Sequence, residues 1–135
     1  MSLGDELRYL RAFHGGIDLD TIEETTGVPQ GTIRMWEQRY RRVGEDDEML
    51  ARLADYYSVP LEELQFHRER YRKALSAVLY RSEEEGHLAR FKLRTGETMA
   101  GRVRWWDLGA FGLEREEGEF TVVQRHAVID WEGSE

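Results

Sequence analysis

Near Gly86 the hydrophobic pattern of this 135-residue chain changes period, and that change limits the folds open to it. Before Gly86 the apolar residues recur at three- and four-residue spacing, and after it they alternate. Helices come first and short strands second, so the expected fold is α+β in two parts. The first part holds Leu7, Leu10 and Phe13 on one face of a helix that Gly15-Gly16 stops. Asp18 suits the N-cap of a second helix, with Leu19, Ile22 and Thr26 inward and Gly27 as the turn after it. Asp46 or Asp47 suits the cap of a fourth, striped by Met49, Leu50, Leu53, Ala54 and Tyr57. Pro29 and Pro60 fall near first helical positions.

The third helix lies in Gly27–Arg42, GVPQGTIRMWEQRYRR. Val28, Ile33 and Trp36 are spaced to face inward, leaving Gln30, Thr32, Arg34 and Gln38 outward. Amide, hydroxyl and guanidinium groups on a short helix, followed by Arg39, Arg41 and Arg42, have the chemistry of a reader of DNA bases and phosphates. The charge distribution agrees. Residues 1–60 hold seven arginines against twelve carboxylates, whereas residues 29–42 hold four arginines against Glu37 alone. The net charge of −8 opposes general polyanion binding, so positive charge is local to this segment.

Two helices joined by a glycine turn within five short helices make a helix-turn-helix bundle. Across residues 4–66 the chain resembles the XRE, or lambda-repressor-like, family. The landmarks are Leu10-Arg11, the turn Thr26-Gly27-Val28, Ile33 with Trp36-Glu37, and the ending Leu53-Ala54, Val59-Pro60 and Leu64. The resemblance puts Gln30 at the base-reading glutamine and Gly31, Arg34 and Met35 at other groove-facing positions. It also implies a structural pair between Arg11 and Glu37. The expected DNA-binding residues are Gln30, Gly31, Thr32, Arg34, Met35, Gln38, Arg39, Arg41 and Arg42. Two departures weaken the expected affinity: Leu19-Asp20 stands where the family has a polar phosphate contact, and Gly31 removes a reading side chain.

From Leu61 to Tyr80 an apolar stripe continues without glycine or proline, which predicts one connecting helix over about 61–82. The domains expected are 1–66 and 67–135. Beyond Gly86, Phe91 and Leu93 alternate with Arg90, Lys92 and Arg94, and Thr95-Gly96-Glu97 makes a turn. Met99, Gly101, Val103 and Trp105 then alternate with Ala100, Arg102 and Arg104. The segments Ala110–Leu113, Phe120–Gln124 and Ala127–Trp131 complete about five short strands, with Gly101 and Gly109 suiting strong curvature. A small five-stranded barrel is the expected architecture.

FKLRTGETMAGRVRWWDLGAFGL is similar to the first signature of the Sm-like/Hfq family, and VVQRHAVI to its second, over residues 72–132. The resemblance implies a homo-oligomeric ring, six subunits being favoured, closed by pairing the fourth strand of one protomer with the fifth of the next. It also implies RNA contacts, with Arg125 and His126 at the family's basic-histidine pair. Leu108-Gly109 replaces the polar-aromatic pair, and Lys92 and Ala100 replace opposite-face contacts. Lys92, Arg102, Arg104, Arg125 and His126 are the candidate RNA-binding residues. Arg90, Lys92, Arg94, Arg102 and Arg104 form the outward basic row, and the tryptophans are expected in the core or at subunit contacts.

There is no cysteine, no apolar run of membrane-spanning length and no signal-peptide pattern, so a cytoplasmic protein is expected, without membrane contact. No nucleophile–base arrangement, phosphate loop or paired histidine ligands appear, so neither an enzyme nor a metal site or other cofactor is expected. The leading expectation is a transcriptional regulator that binds DNA through the helix-turn-helix and assembles through the Sm-like ring. The alternatives are an Hfq-like RNA-binding riboregulator and an assembly scaffold without nucleic acid.

Overall fold

The computed structural model describes residues 1–132, and the end of the second expected domain, 133–135, lies outside them. Among the described residues the fold is α+β, with six helices and one five-stranded antiparallel sheet. By contacts the chain divides into two compact units, Ser2–Tyr71 and a second from Arg72 onward that also takes in Met1. No helix is long and apolar enough to cross a membrane.

The first unit comprises α1 (Leu3–Phe13), α2 (Leu19–Thr26), α3 (Gln30–Trp36), α4 (Asp47–Tyr57) and α5 (Leu61–Arg68). Local chemistry sets the ends. The Ser2 hydroxyl accepts from the Asp5 N–H at 3.0 Å, and the Asp46 carboxylate accepts from the Met49 N–H at 3.1 Å. Each satisfies a donor that a helix start leaves open. Asp18 is the N-cap of α2, though without a side-chain bond, and Pro29 and Pro60 are themselves N-caps, one position earlier than expected. The core gathers Leu3, Leu7, Leu10, Ile22, Val28, Ile33, Trp36, Leu50, Leu53 and Leu64. Phe13 was expected with Leu7 and Leu10, but it is 73 % exposed. It sits in the last turn of α1 and stacks on Tyr9, four residues earlier, at 5.9 Å instead.

The single connecting helix expected over 61–82 is in fact two helices, α5 and α6 (Arg72–Glu85). The break is made by contacts rather than by a breaker residue. Glu69 caps α5 and receives the Arg42 guanidinium at 2.8 Å. Arg70 folds back, donating to the Phe66 carbonyl at 2.9 Å and lying 3.5 Å over the Phe66 ring. Each helix buries its stripe in its own unit: Leu64 in the first core, Leu75, Val78 and Leu79 in the second.

In the second unit the strands are β1 (Ala89–Leu93), β2 (Thr98–Trp106), β3 (Ala110–Arg115), β4 (Phe120–Gln124) and β5 (Val128–Glu132). Their order is β4-β3-β2-β1-β5. The expected barrel is therefore an open sheet, because β4 pairs only with β3 and β5 only with β1 among the described residues. Phe91 and Phe111 are fully buried with ring centroids 4.7 Å apart, and each contributes about 1.5–3 kcal/mol by burial.

Strand β2 corrects a second expectation. The pairing shifts between Val103 and Trp105, so Arg104 bulges and the alternation reverses. Trp105 is 37 % exposed, and Trp106 packs against the core in its place. The β2–β3 turn is held by Asp107, whose carboxylate accepts from the Gly109 and Ala110 N–H groups at 2.8 Å each. Those hydrogen bonds hold its carboxyl below the usual aspartate range.

Candidate nucleic-acid interface

The α2–α3 turn is locked by side chains that the sequence places in it. Gly27 ends α2 at φ 77°, a left-handed conformation that glycine adopts without strain. The Thr26 hydroxyl donates to the Ile22 carbonyl at 2.7 Å and accepts from the Val28 N–H at 3.1 Å. At the next turn the Gln30 N–H donates to the Glu23 carboxylate at 3.2 Å, placing negative charge at the start of α3. Val28, Ile33 and Trp36 fix the inner face, all nearly inaccessible.

The far end of α3 is clamped by α1. Arg11 grips Glu37 in a two-pronged contact, Nε to Oε2 and Nη2 to Oε1, both at 2.8 Å. Glu37 is 4 % exposed, so this is the pair implied by the resemblance, and it is structural. The hydrogen bond to Glu37 raises the Arg11 pKa further. One turn away, Arg8 donates to the Glu37 carbonyl at 2.8 Å. At Gly4 the two backbones meet so closely that a Cβ would lie 2.8 Å or less from the Glu37 and Gln38 carbonyl oxygens. Positions 4, 8 and 11 lie on one face of α1, and that face sets the seat of α3.

The exposure of the residues expected to read DNA varies along α3 and just after it. Gly31, Arg34, Met35 and Gln38 are exposed, and Gln30 and Thr32 are half-buried. Among the described residues, no hydrogen bond or ion pair engages the Arg34 or Arg41 side chains. The other two arginines differ. Arg39, itself exposed, lies 3.8 Å from the largely buried Asp5 carboxylate, a loose pair. Arg42 holds Glu69 through Nε and Nη2, which raises its pKa and lowers that of Glu69. At the start of α2, Leu19 packs against the core and Asp20 is exposed, so no cation stands there.

The expected RNA-binding residues are not brought together as one basic surface. Lys92, Arg102, Arg104 and His126 are exposed, but Arg125 is 2 % exposed and turned inward. Its guanidinium donates to the carbonyls of Asp107 and Arg72 and to the Ser76 hydroxyl, all at 2.8 Å, tying three segments of the second unit. Arg125 is therefore a structural residue, contrary to expectation. The basic row is also interrupted. Residues directly opposite in register share a face of the sheet. Lys92 faces Asp130, Arg90 faces Glu132, and Arg102 faces Glu114. Arg104 bonds Glu114 at 2.5 Å, and Arg102 donates to the Gly86 carbonyl at 3.1 Å. Carboxylates contributed by β3 and β5 neutralise a row that looked basic in one hairpin alone.

A second constellation escaped the sequence reading. Glu6, Glu63 and His67 offer ligand atoms that all lie within 4.8 Å of one another. Its sequence signal is the Glu63–His67 spacing of four on one helix, which pairs a carboxylate with an imidazole rather than two histidines. No protein-family model matches the chain, and no curated protein matches it.

Proposed function

We propose that the protein is a DNA-binding transcriptional regulator, reading base edges through α3 in a helix-turn-helix and assembling through its Sm-like sheet. One observation carries the reading: α3 has a buried inner face and a locked turn, while Arg34 on its exposed face and Arg41, five residues beyond its end, have no partner within the described residues. Cations left unpaired on an otherwise acidic chain suit a polyanion docked at that place. Arg34 with Gln30 reads bases, and Arg41 holds phosphate.

Each good base contact discriminates by about 1–3 kcal/mol, so Gln30→Ala with Arg34→Ala should weaken specific binding by roughly 100-fold or more. Arg41→Ala should weaken all duplexes alike and lower the salt slope by about 1. Both are read by mobility shift over a range of salt. Specific retention unchanged in the double variant would remove α3 as the reader.

Ring assembly rests on the sheet's two open edges, β4 and β5, the pair that Sm-like protomers join. On β4, Phe120 and Val122 are 52 % and 55 % exposed, apolar surface beside an edge unpaired among the described residues. The intact mass of the assembly should be a multiple of the chain, six being the resemblance's number, and a monomer would remove the ring. The riboregulator reading has less support, since Arg125 is turned inward and the basic row is neutralised.

A further inference from the structure

We propose that Glu6, Glu63 and His67 form a binding site for a divalent transition-metal ion of the zinc class. Glu63 and His67 stand four residues apart on α5, so both project from one face. Glu6 comes from the facing side of α1. The Glu6 Oε2 and the His67 Nε2 are 3.6 Å apart, too far for a direct hydrogen bond. A tetrahedral ion with bonds of about 2.0–2.2 Å holds adjacent ligand atoms about 3.4 Å apart, close to that separation. The third atom lies within 4.8 Å of the others. Glu63 is exposed, so its carboxylate can close on the ion by a side-chain rotation.

Glu6 and His67 are each 6 % exposed, so two of the three ligands are held in place by the surrounding packing. The exposed Glu63 leaves an entry path from solvent. One imidazole nitrogen and two carboxylate oxygens suit zinc or a neighbouring first-row ion better than calcium or magnesium, which prefer oxygen alone. Three protein ligands leave a fourth position for water or an added group. The ion would bridge α1 and α5, and α1 is the helix that clamps α3.

The full chain, stripped of metal by a chelator and dialysed, is titrated calorimetrically with zinc chloride. One ion per chain is expected, with magnesium giving no heat at equal concentration. Replacing an outer partner of a metal ligand typically weakens binding about 10–100-fold, so losing a ligand should cost at least that much. Glu63→Ala is the cleaner variant, because its exposed side chain leaves metal-free thermal unfolding unchanged, and His67→Gln should abolish binding. Zinc binding that is absent from the wild type, or undiminished in Glu63→Ala, overturns the site.

Discussion

Gly4→Ala should destabilise the first unit by about 3 kcal/mol or more. A methyl group there would sit 1.8 Å from the Gln38 carbonyl oxygen and 2.5 Å from its carbon. Overpacking usually costs about 1–3 kcal/mol, and the upper end applies when the obstacle is backbone rather than a side chain that can turn aside. The gain of about 1 kcal/mol from replacing glycine with alanine in a helix is too small to offset it. Relief requires α1 to move away from the end of α3, and that motion also pulls Arg8 from the Glu37 carbonyl. Urea unfolding followed by helical circular dichroism checks this, since five of the six helices belong to this unit. Unchanged or higher stability would mean the two backbones are not in contact.

Arg11→Ala should cost about 3 kcal/mol by a different route. The variant leaves the Glu37 carboxylate, whose side chain is 5 % exposed, without the two hydrogen bonds that offset its burial. Breaking a buried pair by removing one partner costs about 3–5 kcal/mol. The low end applies because the Arg11 side chain is itself 29 % exposed and gives up part of its hydration less completely. Adding Glu37→Leu to Arg11→Ala should restore much of the loss, because no buried charge then stands alone. A double variant as unstable as the sum of the two single changes would show that the pair's electrostatics are not the cause.

The inner face of α3 was legible because helical spacing puts Ile33 and Trp36 on one side, and Val28 just before the helix packs into the same core. The strands after Gly86 were legible for the same reason at period two. The exposure of Phe13 was not legible, because periodicity says which residues share a face and nothing about where that face is covered. The stripe after Leu61 looked continuous because its break is made by Arg42 and Arg70, through contacts outside any local pattern. The bulge at Arg104 exchanged the roles of Trp105 and Trp106, since one extra residue in a strand reverses every later side chain. The resemblance implies an RNA contact for Arg125, yet a guanidinium that donates to α6 and to the β2–β3 turn is an efficient tie for buried backbone carbonyls. The basic hairpin misled because Asp130, Glu132 and Glu114 reach it only through pairing.

At the candidate interface the sequence supplied the residue types, and the fold decided which are available. Arg34 and Arg41 have no partner among the described residues, Arg39 is loosely paired, and Arg42 is bound to Glu69. On the proposed reading, Arg34 with Gln30 and Arg41 are the contacts of the nine expected that should contribute most. Weak individual readers gain from repetition when several are linked and their sites are spaced to match.

The central claim is that α3 reads DNA sequence, and selection of bound duplexes from a random-sequence pool tests it most directly. The full chain should enrich a defined motif, in spaced repeats if the ring forms, and the Gln30→Ala, Arg34→Ala variant should enrich none. A wild-type protein that enriches no motif even at low salt, where attraction to phosphate is greatest, would contradict it.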